Sequence, residues 1–456
     1  MRKVILITGI LFYTIIFNIR VESCSLFYAN IGNSVLGANC LDWHNLNTVI
    51  NFIPPSYSPN DTLYGRIEFG AYYGTGTYFY PYGGVNDHGL FYAEASIEGA
   101  NTPDFYASGT INCPGGLIMQ EIVLQTCSTI DEAILLFKIY NCPELVTNHI
   151  LVGDRFGNSV VIERSNNDTL AFIKKTGNYQ IATNFLNAYL NNPKMYRFIE
   201  DPRYDFINAT LKNKDSISVG LFTNILQTVG HNGDLIPTLY SNVYDLKNGI
   251  VYVYNYYNFE EVLILDINKE LSKGNRFLGL PKLFSGIKAE YPVSNASVNS
   301  SSVDFKWVGD ASNYAIWLST NDQFLNPTII NYSDSKTQKA GFGIIYSIIF
   351  LVMILSVKRK KILMLTWAFC IVLLAGCTKE LDLTILPQTQ SNIGHSTIID
   401  NLESNTNYYW KIVANNSNGI NTETKVESFT TSNFLQILCL FFINLIKLEN
   451  IIIAGT

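Results

Sequence analysis

Val21-Glu-Ser-Cys24-Ser-Leu-Phe-Tyr-Ala-Asn30-Ile-Gly-Asn-Ser34-Val-Leu-Gly-Ala-Asn39-Cys-Leu-Asp42-Trp43 carries two messages at once. The first is a hairpin. Cys24–Asn30 reads as a strand, Ile31–Ser34 as a tight turn and Val35–Trp43 as a second strand, with Gly and Asn where a two-residue turn wants them. A turn centred on Gly32-Asn33 makes the numbers of paired residues sum to about 65, which sets Cys24 beside Leu41 or Asp42. A slip of one residue would turn every side chain to the other face. The second message is a processing site. Arg2 and Lys3 precede an apolar run from Val4 to Phe17, and Val21 and Ser23 occupy positions −3 and −1 before Cys24. A charged start, a short apolar core and a small residue at the cut describe a secretory signal.

Removal of residues 1–23 would leave Cys24 with both a thiol and a free α-amine. That amine has a reference pKa of about 8 and can take the thiol's proton near neutral pH. The plainer readings are an ordinary cysteine of an exported protein, or a lipidated one, although Arg20 and Glu22 fit a lipobox poorly. The hairpin places the Asp42 carboxylate where it can hold or orient the new amine.

Further stretches follow in a fixed order. They are Gly84-Val-Asn-Asp-His-Gly-Leu90, Cys127-Ser-Thr-Ile-Asp-Glu-Ala133, His149–Glu163 with Asp154, Gly157 and Ser159, Ala182-Thr-Asn184, and Thr238-Leu-Tyr-Ser-Asn-Val-Tyr-Asp245. Together with Cys24 and Asn39-Cys-Leu-Asp42-Trp43, they resemble the linear amide C–N hydrolases. That group includes the choloylglycine hydrolases, penicillin V acylases and isopenicillin-N acyltransferase-like enzymes, all N-terminal nucleophile (Ntn) hydrolases. The resemblance spans roughly 24–284. It implies a four-layer αββα sandwich, Cys24 as nucleophile, Asp42 orienting the amine, Asn184 as oxyanion donor, and Arg203, in Asp201-Pro-Arg203-Tyr204, as a site arginine with Arg197 as rival. The sequence departs from the family in two places. Asn39 and Cys40 stand where many members carry an Arg, and the region around Ser96 offers no clear second oxyanion side chain.

The remaining sequence agrees with an exported, multi-part chain. Its 456 residues exceed one ordinary domain, and a net charge of −6 from 31 basic and 37 acidic residues carries no nucleic-acid signature. Charged residues are sparse at 15% and mean hydropathy is +0.14, as in a chain with membrane segments. Cys113, Cys127 and Cys142 could form a disulfide outside the cytoplasm, or stay buried thiols. Up to about Phe284, amphipathic helices (Thr129–Tyr140, with Ile130, Ala133, Ile134 and Phe137 on one face, and 216–230) alternate with strands at 149–153, 159–163, 170–174, 250–255 and 261–265. Short turns between strands speak against a parallel sheet.

Composition shifts near Lys288. Val303–Trp307, Tyr314–Leu318, Leu402–Ile412 and Phe429–Thr431 resemble a fibronectin type III module. Its two pieces, 288–338 and 390–431, flank residues 339–389. Those hold two apolar runs, Gly341–Val357 and Ile362–Gly376, around the basic Lys358-Arg-Lys-Lys361. They read as an apolar helical hairpin close to the shortest membrane-spanning length. Leu373-Leu-Ala-Gly-Cys377 also resembles a lipobox, so the insert reads equally as a join between unrelated coding segments. Residues 432–456 form an apolar tail.

The sequence therefore predicts an α+β fold: residues 1–23 a signal, 24–284 an αββα Ntn-hydrolase domain, and then an all-β fibronectin-like sandwich interrupted by the hairpin. The expected activity is hydrolysis of a small-molecule linear amide by an exported enzyme without cofactor or metal. Partners beyond that substrate exclude nucleic acid and leave membrane, cell-surface and self-association open. The competing class is a non-catalytic surface or adhesion protein built on the same fold.

Overall fold

A computed structural model describes residues 24–44, 47–58, 61–73, 78–97, 111–164, 170–191, 201–233, 236–298, 300–333, 393–415 and 419–432. Residues 1–23, expected to be a signal, the apolar insert 339–389, residues 433–456 of the expected tail and Arg197 lie outside these. Among the described residues no helix is long and apolar enough to cross a membrane. The chain divides into two compact units: Met1–Lys288 with Asn416–Lys425, and Ala289–Asn415 with Val426–Thr456.

The first unit is rich in sheet. Its strands are β1 (Ser25–Ile31), β2 (Ser34–Asp42), β3 (Thr48–Ile53), β4 (Ser56–Ser58), β5 (Asp61–Leu63), β6 (Arg66–Tyr73), β7 (Tyr78–Asn86), β8 (Leu90–Ser96), β9 (Asn148–Asp154), β10 (Ser159–Arg164), β11 (Leu170–Lys174), β12 (Tyr179–Ala182), β13 (Thr238–Asp245), β14 (Ile250–Asn255), β15 (Asn258–Asp266), β16 (Arg276–Gly279) and, from the far end of the chain, β24 (Asn421–Thr424). Its helices are α1 (Met119–Thr126), α2 (Ile130–Ile139), α3 (Pro202–Leu211), α4 (Val219–Val229) and the short α5 (Ile267–Leu271). One sheet runs β12-β1-β2-β13-β14-β15-β24, the other β11-β10-β9-β8-β7-β6-β3-β16. Neighbouring strands of both sheets pair antiparallel, as short turns require.

The β1–β2 hairpin pairs Ser25 with Cys40 and Ile31 with Ser34, so partners sum to 65 as the turn position demands. Gly32 takes the turn with φ +62°, a conformation that only glycine adopts freely. Both faces of the hairpin are covered. Leu26, Tyr28, Val35 and Leu41 join Ile50, Phe52, Phe69 and Phe91 of the other sheet in one core cluster. Phe27, Ala29, Leu36, Ala38 and Cys40 join Ile207 and Leu211 of α3 and Phe222, Ile225 and Leu226 of α4 in another. A third cluster joins Val123 of α1 and Ile130, Ala133, Ile134 and Phe137 of α2 to Tyr92, Val152 and Ile162. The period of two in the strands thus meets the 3.6 period of the helices. Close approach of the sheets needs Gly153, where a Cβ would stand 2.4 Å from the Tyr28 ring.

The second unit holds β17 (Lys288–Tyr291), β18 (Ala296–Val298), β19 (Val303–Val308), β20 (Asn313–Ser319), β21 (Thr328–Ser333), β22 (Gly394–Ile399), β23 (Asn407–Asn415) and β25 (Glu427–Thr431). β19 pairs with β22 and β20 with β23, so strands from either side of residues 334–392 share sheets. Trp307 and Trp410 are fully buried, and the Phe305 ring meets Trp410 edge-on at 4.9 Å. The sequence places all of 390–431 in this part. Asn416–Lys425 instead clusters with the first unit, where β24 pairs with β15 and Ile420 enters the inter-sheet core.

Candidate active site

Cys24 stands at the start of β1 at 5% exposure and lines a pocket of about 460 Å³. Leu41, Trp43, Tyr78, Tyr80, Tyr82, Glu94 and Ser96 share that pocket. The rest of the predicted set is anchored around the hairpin. Asp42, the last residue of β2, is fully buried and pairs in register with Thr238. The Thr238 hydroxyl donates to Asp42 Oδ1 at 2.5 Å and accepts from the His231 amide at 2.7 Å. The hydroxyl thus ties the Asp42 carboxylate to the His231 backbone.

Arg203 reaches the site from α3. Asp201 caps that helix, accepting from the Arg203 and Tyr204 amides, and Pro202 fills the first helical position, where no amide donor is needed. The same carboxylate grips the Arg203 guanidinium through Nε at 3.1 Å and Nη2 at 2.8 Å. This two-point hold aims Nη1 at the Cys24 carbonyl oxygen, 3.1 Å away. The Asp-Pro-Arg triplet is therefore both a helix start and a positioning device.

Cys40, beside Ser25 on the helix-facing side, shows how closely these groups converge. Burial foremost, then the charges of Asp42 and Cys24, push its thiol well up, while Arg203 opposes them. Cys40 is thus a neutral, inert thiol at pH 7. Cys113, Cys127 and Cys142 are free thiols as well.

Asn184 is buried, and its Nδ2 donates to the Ser96 carbonyl at 2.8 Å and approaches Ser96 Oγ at 3.3 Å. Ser96 lines the pocket and Asn184 stands behind it. Sequence reasoning reached the Ser96 position and found no match there, because a serine carries no family signature. It missed Thr238 as the partner of Asp42. The residue lies in a quoted motif, but nothing in the sequence says that 196 positions of separation close to a hydrogen bond.

Several motif residues hold the scaffold. Asn86 Nδ2 donates to the Leu124 and Cys127 carbonyls, and its Oδ1 accepts from the His88 and Leu90 amides. Asp154 gathers the Ile130, Phe156 and Asn158 amides. Glu163 meets His149 and accepts from the Asn187 and Ala188 amides, fixing the chain just after Asn184. Thr129 and Glu132 form a capping box on α2.

Glu94 is the carboxyl among the described residues that line the pocket. Burial, aided by the charge of Glu144, pushes it up to about 8 against hydrogen bonds from Tyr80 and Asn148. No group of three or more metal-ligating side chains occurs among the described residues.

Residues 24–238 match the family model described as linear amide C–N hydrolases, choloylglycine hydrolase family. Two solved structures of conjugated bile acid hydrolase variants from Clostridium perfringens are similar to the chain. One is 20% identical and covers 56% of this chain and 95% of that one, with a TM-score of 0.42. The other is 21% identical and covers 56% and 96%, also with a TM-score of 0.42. No curated protein matches the sequence. The segment that carries Cys24, Asp42, Asn184, Arg203 and Thr238 is thus the one that matches the linear amide C–N hydrolases of the choloylglycine hydrolase family.

Proposed function

We propose that the chain is exported, loses residues 1–23, and hydrolyses a small-molecule linear amide with Cys24 as N-terminal nucleophile. One observation carries the reading. The residue that the cut would expose lies in a pocket of substrate size, with Arg203 on its carbonyl and the Asp42–Thr238 pair at the end of the adjoining strand. In this mechanism the α-amine accepts the thiol proton as Sγ attacks the amide carbon. The tetrahedral oxyanion collapses, the C–N bond breaks, and the amine passes its proton to the leaving nitrogen. Water then attacks the thioester, the amine again taking a proton, and the thiol is restored as the acid departs. Asp42 orients the ammonium form, and Arg203 fixes the Cys24 backbone. The oxyanion role is assigned to the Asn184 side-chain N–H and the Ser96 hydroxyl that it contacts, each such donor contributing about 10²–10³ in rate.

The three core clusters support a four-layer αββα arrangement of the first unit. The paired strands and tryptophan core of the second support a fibronectin type III-like module without chemistry of its own. Intact-mass analysis of the exported protein, followed by an amide panel, tests the proposal. A mass beginning at Cys24 and hydrolysis abolished in Cys24→Ala are expected. Retention of Met1, acylation of Cys24, or full activity in Cys24→Ala would sink it and favour a non-catalytic binding role.

A further inference from the structure

The pocket that holds Cys24 has a distinctive second end. Tyr78, Tyr80 and Tyr82 follow one another along β7, their rings 6.5 and 5.1 Å apart, with Trp43 on the same pocket wall. Glu94 lies among them at 4% exposure. Its Oε2 accepts from the Tyr80 hydroxyl at 3.2 Å, while Oε1 has no hydrogen-bond partner of standard geometry among the described residues. Among the described residues, no lysine, arginine or histidine lines the pocket. Glu121 and Glu144 add their charges: after burial, the Tyr78 phenol is pushed up by Glu121, Glu144 and Glu94 together. Each of these two has a neutral partner instead of a cation, Glu121 the Ile118 amide and Glu144 the Cys142 thiol.

A buried carboxyl with one oxygen lacking a partner of standard geometry, walled by electron-rich rings and with no Lys, Arg or His among the described lining residues, has the composition of a cation site. Ring faces attract ammonium groups, and a desolvated carboxylate strengthens the attraction. An anionic substrate group would find no Lys, Arg or His among the described lining residues. We infer that the Tyr78–Tyr80–Tyr82–Glu94 end of the pocket binds a positively charged ammonium group of the substrate, so that the amide cleaved at Cys24 belongs to a cationic molecule. Cleavage at Cys24 rests on the proposed function, whereas binding of the ammonium group does not.

The resting carboxyl is mostly protonated at pH 7, so an incoming ammonium should displace its proton. The groups that face it are the Tyr80 and Tyr92 hydroxyls, Asn148, the Cys142 thiol and Glu144, and none of them is a cation.

The test measures binding to the exported Cys24→Ala protein by calorimetry, so that turnover plays no part. Two matched pairs of amides are used. One sets N-benzoylputrescine against N-pentylbenzamide, with the charge on the amine side. The other sets the anilide of ω-aminovaleric acid against hexanoylanilide, with the charge on the acyl side. In one pair the ammonium member should bind at least about tenfold tighter at pH 7. Buffers of different ionisation enthalpy should report release of close to one proton per binding event. Adding Glu94→Gln should erase both the preference and the proton release. Equal binding within both pairs, or a preference that survives in Glu94→Gln, overturns the inference. If Glu94→Gln fails to fold, the proton count on the Glu94 protein decides, and a value near zero overturns it. Hydrolysis by the Cys24 protein without any ammonium preference strikes this inference alone. An ammonium preference without hydrolysis strikes the nucleophile reading alone.

Discussion

Thr238 shows what a single residue does at this site. Its hydroxyl donates to Asp42, which is fully buried. Thr238→Val keeps the shape but removes this donor from a buried carboxylate. It should cost about 1–3 kcal/mol of stability and lower kcat about tenfold or more with KM little changed. Denaturant titration and steady-state kinetics would check this, and an unchanged kcat would remove Asp42 from the mechanism. Glu94 makes a second prediction, through pH. Its carboxyl keeps its proton up to about pH 8 in the folded chain and loses it near its ordinary 4.5 when unfolded. Between those values the folded state binds more protons, so this contribution to stability is whole below about pH 4.5 and falls as pH rises through about 8. The slope for one carboxyl is about 1.4 kcal/mol per unit, and Glu94→Gln should flatten it in thermal melts across that range. A variant with the parent's slope would show that the acid is ionised in the folded protein.

Among the elements, the β1–β2 hairpin and helix α2 are written plainly in the sequence, and each invites a substitution. Gly153 on β9 lets the Tyr28 ring lie flat against the backbone, and the Tyr28 hydroxyl donates to the Asp154 carbonyl at 2.7 Å. Gly153→Ala should force the sheets apart at that point and destabilise by about 1–3 kcal/mol in urea titration. A neutral result would mean that Tyr28 has another rotamer to retreat to. The Thr129–Glu132 capping box is a milder case. Thr129→Ala should cost about 1 kcal/mol and leave amide hydrolysis unchanged, since α2 touches no pocket residue by its cap. The Asp201 cap differs because it also grips Arg203. There, loss of the cap should lower activity together with stability.

For the whole molecule the instructive feature is β24. Residues 421–424 pair with β15, Thr422 donates to the buried Glu261, and Ile420 joins the inter-sheet core. Glu261 also accepts from the Ser285 and Ile287 amides, so it ties the end of the first unit together. Every pocket residue nevertheless precedes Lys288. A chain ending at Lys288 should therefore melt several degrees below the full chain while keeping its hydrolytic rate at low temperature. An equal melting temperature would show that β24 adds nothing. A folded but inactive truncation would place part of the site beyond residue 288.

The sequence by itself determined what is local and periodic. The Gly32 turn determined the hairpin register, and with it the approach of Asp42 to the strand that begins at Cys24, because a tight turn leaves one alignment. Capping residues and a 3.6 period determined α2 and α4, whose buried faces follow the apolar spacing. Only the tertiary structure decided which distant partners complete the site. Thr238 on Asp42, Arg203 on the Cys24 carbonyl, Asn184 behind Ser96 and Glu94 beneath Tyr80 are side-chain meetings across sheets and helices. β24 joined the first unit for the same reason: an edge strand is chosen by the free backbone it meets, which no local pattern records. Spacing along the chain encodes neighbours within a turn or a hairpin, whereas contacts between layers depend on how whole faces stack.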